Sequence, residues 1–282
     1  MPATGIRGYP RLSIEGGHMT TCRLCDGPTS LLFRGVVLRT HSIAYLRCET
    51  CGSLQTEEPY WLSEAYSDGN LADTDTGVVN RNLDCQALIY AASRILGIRH
   101  DASVLDIGGG SGLLCRLLRD VGFDARVSDA YAPNQFAKGF DDIGSQPDIA
   151  CAFEVAEHFA NPKTDMTKIL GRGAPVCIVG TETFRDQSSD WWYLSPGAGQ
   201  HVFFYSPEGM RILGRAHGYH YERVGNWHFF LDRPLGRVRG ALLWRAASAR
   251  YLKWVRVLVA CRSSSEFLER DMKRILDSRP PL

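Results

Sequence analysis

The stretch VLDIGGGSGLLCRLLRDVGFDARVSDAY, residues 104–131, carries the order strand, glycine turn, helix, strand, with an acid closing the second strand. After the apolar run 103–107, Gly108, Gly109, Gly110 and Gly112 allow a tight bend that a ligand can approach without meeting a Cβ. Leu113, Leu114, Leu117, Leu118 and Val121 predict the apolar face of the following helix, and Gly122 stands where a left-handed cap belongs. Asp129 ends the next strand, where an acid can hydrogen-bond ribose hydroxyls. To this point any nucleoside cofactor fits.

Two details separate the cofactors. A dinucleotide turn requires G-x-G-x-x-G/A, and the last of those positions, counted from Gly108, is Leu113; the spacing here is G-x-G-x-G. Asp106 stands just before the turn, where a carboxylate opposes a pyrophosphate and favours the ammonium of an amino-acid moiety. Both point to S-adenosylmethionine (SAM). With these features the chain resembles the class I SAM-dependent methyltransferases, whose first motif is an acid, any residue, then G-x-G-x-G. The resemblance continues through DIACAFEVAEHFANP (148–162) and GQHVFFYSPEGMRILGRAHGY (199–219) and covers roughly 85–232. It implies cofactor contacts at Asp106, Gly108, Gly110, Gly112, Asp129 and Glu154.

Around this segment, short β-rich runs alternate with helical ones, predicting parallel strands near SVLDIG, ARVSDA, DIACAFEV and PVCIVGTE. HYERVGN and WHFFLD follow with almost no connection, so the sheet should end in an antiparallel hairpin or a bulged strand. The expected fold class is α/β, a Rossmann-like class I methyltransferase sheet, parallel with an antiparallel last strand, plus a small N-terminal zinc ribbon and C-terminal helices. The expected organisation is a flexible tail over 1–20, with Met19 a possible true start, the zinc ribbon over 22–58, a helical lid or linker over 59–101, the SAM-binding domain over 102–232 and a basic helical extension over 233–282. Within 59–101, YWLSEAY and LDCQALIYAASRILGI have helical spacing, Leu88, Ala92, Ile95 and Leu96 form one stripe, and SDGNLADTDTGVVNRN reads as a loop that could move.

The ribbon rests on Cys22, Cys25, Cys48 and Cys51, two C-x2-C pairs separated by twenty-two residues, a spacing at which four thiolates close a tetrahedral Zn2+ site. With all four ligands cysteine and no open position, such a zinc is structural, replacing a core that so short a module cannot supply. A zinc ribbon ahead of a SAM domain resembles sugar C-methyltransferases of deoxysugar pathways and a broader group of bacterial methyltransferases linked to surface-polysaccharide or natural-product sugars. That resemblance implies a small-molecule or sugar-containing acceptor, methylated at oxygen more readily than at carbon.

Methyl transfer from a sulfonium needs alignment, exclusion of water and, for a hydroxyl or C–H acid, a base. His201 follows the last parallel strand and its loop and suits that role by its ordinary pKa; the alternative is a histidine that orients the loop before SPEGMRILGRA. Glu154, Glu157 and His158 form an E-x-x-E-H cluster that resembles metal-dependent O-methyltransferases of the ubiquinone pathway, which makes Glu154 and His158 further catalytic candidates, His158 also as a direct base; the alternative is a set of hydrogen bonds tying the loop. Trp191, Trp192 and Tyr193 either stack on an acceptor or anchor a lid. Arg81 and Asn82 could touch the acceptor or the cofactor carboxylate.

The chain has 282 residues and a formal net charge of +1, which gives no bulk attraction to nucleic acid. Residues 233–262 nevertheless contain eight Arg or Lys and no Asp or Glu, in a segment read as a helix laid on the domain or as a peripheral contact with an anionic membrane. Four cations within 241–261 argue against a spanning helix. Nine cysteines without a disulfide-like framework and the lack of a secretory apolar run near the start indicate the cytoplasm. Two other functions are compatible with these features: an RNA methyltransferase using the ribbon and basic tail, and a SAM-binding protein without catalysis.

Overall fold

The computed structural model describes residues 21–67 and 75–277. The expected tail 1–20 and residues 68–74 of the polar loop lie outside the described residues. From the first cysteine pair the chain forms β1 (Thr29–Val37), β2 (His41–Cys48), β3 (Leu54–Thr56), α1 (Leu62–Ala65) and α2 (Val78–Leu96). It continues through β4 (Ser103–Ile107), α3 (Leu113–Asp120), β5 (Asp124–Ser128), β6 (Ile149–Phe153), α4 (Pro162–Asp165), α5 (Thr167–Leu170) and β7 (Val176–Gly180). It ends with β8 (Phe203–Phe204), α6 (Pro207–Ala216), β9 (His220–Val224), β10 (Trp227–Leu231), α7 (Arg237–Ala247), α8 (Ala249–Ala260) and α9 (Ser265–Asp277).

The central sheet has the order β5-β4-β6-β7-β10-β9. β5, β4, β6 and β7 run parallel, whereas β10 is antiparallel to both β7 and β9, the expected hairpin end. The chain leaves β4 for β5 on one side and returns as β6 on the other, so the carboxyl ends of β4 and β6 flank the crevice where the winding direction reverses. β6 and β7 are buried along almost their whole length, as strands covered on both faces must be.

One face is covered by α2 and α3. α3 closes where expected: Gly122 has φ 103°, and the Phe123 N–H bonds back to the Leu118 carbonyl. Its buried side chains are Leu114, Cys115, Leu118 and Arg119, so Leu113 and Leu117 fall at the margin of the face. α2 begins at Val78, five residues before the helical segment LDCQALIYAASRILGI, and takes in VVNRN of the expected loop. From Cys85 to Ser93 it is buried almost all round, because α7 and α8 pack on its far side. The second face carries α4, α5, α6 and the cysteine module.

That module is a β1–β2 hairpin extended by β3, but its sheet continues into β8, so the last strand comes from the far end of the chain. Cys22, Leu24, Cys48 and Cys51 share one apolar cluster with Ala150, Ile169, Phe203, Tyr205 and Met210. The apolar run 241–261 is divided by Ser248, whose extended backbone (φ −71°, ψ 142°) separates α7 from α8. No helix among the described residues is long and apolar enough to cross a membrane.

α9 is fastened by a buried ion pair. The Arg119 guanidinium donates to both oxygens of Asp271 at 2.7 and 2.8 Å, with side chains 1% and 2% exposed, and lies 3.5 Å from the Phe140 ring centroid. Desolvation pushes the Asp271 carboxyl up, but the hydrogen bonds and charge of Arg119 outweigh it and hold the carboxyl below its ordinary range. Breaking the pair leaves a buried charge, so Asp271→Ala is expected to lower unfolding free energy by about 3–5 kcal/mol in urea titration. Replacing both partners, as Arg119→Met with Asp271→Leu, should recover most of that loss.

β10 holds a second buried ionisable group. His228 lies between the Tyr221 hydroxyl (2.8 Å) and the Thr181 carbonyl (3.1 Å), and burial lowers its pKa to about 4. The unfolded chain therefore gains a proton first as pH falls, and stability is lost from about 6.5 down to about 4 at about 1.4 kcal/mol per pH unit. A His228→Gln variant should show an acid slope shallower by that amount.

Candidate functional site

The glycine turn at the carboxyl end of β4 adopts the conformations that its composition requires. Gly108, Gly110 and Gly112 have φ 71°, 56° and 82°. A Cβ on Gly109 would stand 2.2 Å from Asp106 Oδ2, and one on Gly108 would stand 2.5 Å from Val155 Cγ2. A Cβ on Gly110 would meet no atom within 4 Å, so the backbone there faces open space. Asp106 is 2% exposed and lies beneath the turn, with its Oδ2 buried and without a hydrogen-bond partner among the described residues. Burial first, and the charge of Asp129 second, push its carboxyl up to about 7.

Asp129 is locked by backbone donors. Its Oδ2 accepts from Gly110 N–H at 2.8 Å, and its Oδ1 accepts from Tyr131 and Ala132 N–H at 2.8 Å each. A carboxylate offers about four acceptor positions, so one remains on Oδ2 beside the turn. The open backbone at Gly110, the unpaired acceptor beneath Gly109 and the spare acceptor of Asp129 together fit a cationic nucleoside ligand.

A second cluster stands at the carboxyl ends of β6 and β7. Glu157, in the 3-10 turn Ala156–His158, is fully buried; its Oε1 accepts from the Tyr193 hydroxyl at 2.7 Å, and its Oε2 has no partner among the described residues. The Tyr193 hydroxyl also lies 3.1 Å from Thr181 Oγ1. His201 donates from Nδ1 to the Tyr193 carbonyl at 2.6 Å, which leaves Nε2 as the acceptor of the neutral ring, 4.0 Å from Glu157 Oε1. The His158 ring packs edge-on at 5.0 Å from that of His201, and its Nδ1 is 2.9 Å from the Tyr66 hydroxyl. Burial lowers the His158 pKa to about 4, against the Glu157 charge, so this ring is neutral over the ordinary pH range.

Glu154 has the left-handed φ of 56°, which carries the chain sharply off β6. Its carboxyl keeps accessible surface yet is surrounded by protein, and desolvation first, then the Glu157 charge, push it up to about 8.

The structure therefore brings together Glu157, His158 and His201, whose ligating atoms lie within 4.8 Å of one another. Glu154 is outside that group, so the set within reach of one ion differs from E-x-x-E-H. Tyr193 is 1% exposed and Trp191 packs on Phe184, Tyr193 and Phe204, so both anchor the loop and only Trp192, 71% exposed, presents a free face. Arg81 is held by Asp75, and Asn82 donates to the Val78 carbonyl of its own helix.

Tyr66 escaped sequence reasoning. It follows α1, stacks on Tyr131 at 5.1 Å and reaches His158, thereby joining the Asp129 side of the crevice to the histidine side. Only its place in YWLSEAY could have marked it.

The four N-terminal cysteines also converge. Sγ of Cys22 is 3.7 Å from Cys51 Sγ, Sγ of Cys25 is 3.5 Å from Cys48 Sγ, all four lie within 4.8 Å of one another, and none is in a disulfide. Four sulfurs about 2.3 Å from a common centre form a tetrahedron with edges of about 3.8 Å, so the donor set fits a tetrahedral thiolate-binding metal. Arg23, between the first two cysteines, donates to the Ala160 carbonyl at 2.9 Å and the Val202 carbonyl at 2.6 Å, the residues that lead away from His158 and His201. Ser206 Oγ is hydrogen-bonded to the Cys51 carbonyl and caps α6 through Gly209 N–H at 2.8 Å.

Residues 80–224 match the family model described as a methyltransferase domain. No curated protein sequence matches the chain. Among solved structures, the chain is similar to a calicheamicin-biosynthesis methyltransferase bound to S-adenosylhomocysteine, with 16% identity, 61% of each chain covered and a TM-score of 0.42. It is also similar to the Burkholderia thailandensis 1,6-didemethyltoxoflavin-N1-methyltransferase, with 15% identity, 70% of this chain and 96% of the other covered, and a TM-score of 0.43. For the magnesium protoporphyrin IX methyltransferase of Synechocystis PCC 6803 with bound SAM, the values are 14%, 60%, 87% and 0.38. With the family model spanning just over half of the chain, the chain belongs to the methyltransferase-domain family.

Proposed function

We propose that this enzyme methylates a small-molecule or sugar-containing acceptor, at oxygen in preference to carbon, in the biosynthesis of surface polysaccharides or natural products within the cytoplasm. The carrying observation is the fixed tautomer of His201: with Nδ1–H committed to the Tyr193 carbonyl, Nε2 is a lone-pair acceptor at the carboxyl edge of the sheet. A hydroxyl placed there can give up its proton as its oxygen becomes the nucleophile. Glu157, whose Oε1 lies 4.0 Å from the same Nε2, stabilises the imidazolium that results, while the Tyr193 hydroxyl holds the carboxylate in place. His158, neutral and hydrogen-bonded to Tyr66, walls the same space.

SAM supplies a methyl group activated on a positively charged sulfur. Gly108, Gly110 and Gly112 would let the backbone approach it, the spare Asp129 oxygen would accept from a ribose hydroxyl, and Asp106 beneath the turn would ionise more readily beside a bound cation, so that the site would favour a cation over a pyrophosphate. Glu154, on the sharp turn after β6, borders the cofactor side of the crevice.

Cys22, Cys25, Cys48 and Cys51 hold a structural Zn2+ in this reading. Its effect on catalysis is positional, because the knuckles fix Arg23 and Ser206, and these fix the segments bearing His158 and His201.

In assays with methyl-labelled SAM and a panel of sugar nucleotides, glycolipids and phenolic metabolites, Asp129→Ala is expected to weaken SAM binding at least tenfold. His201→Ala should keep SAM affinity while kcat falls about 10²–10⁴-fold; unchanged kcat would remove His201 from the chemistry. Gly109→Ala should lose folded protein through collision with Asp106. Gly110→Ala meets no protein atom and costs only about 1–2 kcal/mol of backbone strain, so it should fold yet bind SAM poorly. Elemental analysis should find one zinc per chain, and Cys48→Ser should remove the metal, lower Tm and reduce turnover without touching the acceptor.

A further inference from the structure

Six large apolar side chains of α7 and α8 have no cover. Val238, Leu242, Trp244, Trp254, Val257 and Leu258 are 75%, 49%, 63%, 69%, 58% and 64% exposed. The helices are themselves anchored: Leu243, Ala247, Leu252 and Val259 are buried, and both helices pack on α2, which puts their outer faces on one side of the molecule. On α8, Arg250, Trp254 and Val257 run at helical spacing along the side opposite Leu252 and Val259.

Cations surround this apolar face. Of the eight between 233 and 262, Arg233 pairs with Asp232, Arg256 with Asp84 and Arg262 with the Tyr90 hydroxyl. Arg237, Arg239, Arg245, Arg250 and Lys253 are exposed and form no ion pair among the described residues; Arg245 lies over the Tyr251 ring at 4.3 Å. No acid stands in 233–262 to answer them.

We infer that the α7–α8 face docks on an anionic lipid surface, with Trp244, Trp254, Val257 and Leu258 entering the headgroup boundary and the five unpaired cations meeting lipid phosphates. An anionic bilayer satisfies both features at once, since it offers negative charge at its surface and hydrocarbon beneath. A second copy of the chain does not: in a two-fold contact the same patch faces itself, setting cations against cations. A nucleic acid would meet the cations but leave the aliphatic side chains in water. The face adjoins the working edge of the sheet, because a cleft of about 700 Å3 lined by Asn80, Asp84, Trp227, Trp244, Lys253 and Arg256 opens beside it, and Trp227 pairs with Gly180 at the carboxyl end of β7.

The test uses the full chain and vesicles of phosphatidylcholine, alone or mixed with phosphatidylglycerol, read by co-sedimentation and tryptophan fluorescence. Binding and a blue shift are expected only with phosphatidylglycerol present, weakening as salt rises. Arg250→Ala with Lys253→Ala should weaken binding about 25-fold, at about fivefold per cation. Trp254→Ala with Leu258→Ser should abolish retention at high salt while retaining SAM binding, which shows that the variant is folded. Equal binding to both vesicle types, no binding to either, a dimer abolished by the same substitutions, or salt-sensitive capture of RNA in place of vesicles would each overturn the inference.

Discussion

The site depends on a buried carboxylate lying directly beneath a glycine. Asp106 Oδ2 occupies the space that any Cβ on Gly109 would need, and it has no hydrogen-bond partner among the described residues. An unpaired buried acceptor is costly, and it persists because the fold around it is over-determined: β4 is paired on both sides and the turn is tied to Asp129 through Gly110. The arrangement gives the crevice an acceptor floor, whose carboxylate a bound cation would keep ionised, and an open backbone wall, which suits a sulfonium nucleoside better than a diphosphate. The remaining groups are placed relative to that floor.

The cysteine module shows how a short segment becomes part of the framework around the sheet's carboxyl edge. Its own hairpin is too small to hold a core, and it completes itself with β8 and with an apolar cluster drawn from β6, β7 and α6. The exchange runs both ways. Arg23, largely buried, fastens the carbonyls of Ala160 and Val202, and these lie next to the two histidines. The cysteine cluster and the histidine cluster are therefore linked through a few hydrogen bonds.

The C-terminal helices complete the opposite face. They bury the outer side of α2, and α9 is locked by the Arg119–Asp271 pair, so this extension is integral to packing even though its outer face is apolar and basic. One helical pair thus presents an inner face typical of a core and an outer face typical of an interfacial helix. Ser248 makes this possible by splitting the apolar run into two short helices that lie along the surface.

Local chemistry made much of this legible in the sequence. The glycine positions, the two acids around them, the alternation of strands and helices, the antiparallel end and the cysteine spacing all follow from short-range rules: backbone freedom, periodicity of 2 and 3.6, and ligand count. Tertiary structure decided the rest. The pairing of β3 with β8, two residues long, has no local signature, since it exists only because the module lies against the loop before α6. Tyr66 reaches His158 across 92 positions, and Tyr193 turns inward to Glu157 where an aromatic run alone allowed either direction. His201 acquires a defined tautomer only from the Tyr193 carbonyl. Sequence fixes which groups are available, whereas long-range packing decides which of them face one another, because burial and hydrogen-bond satisfaction are properties of the assembled chain.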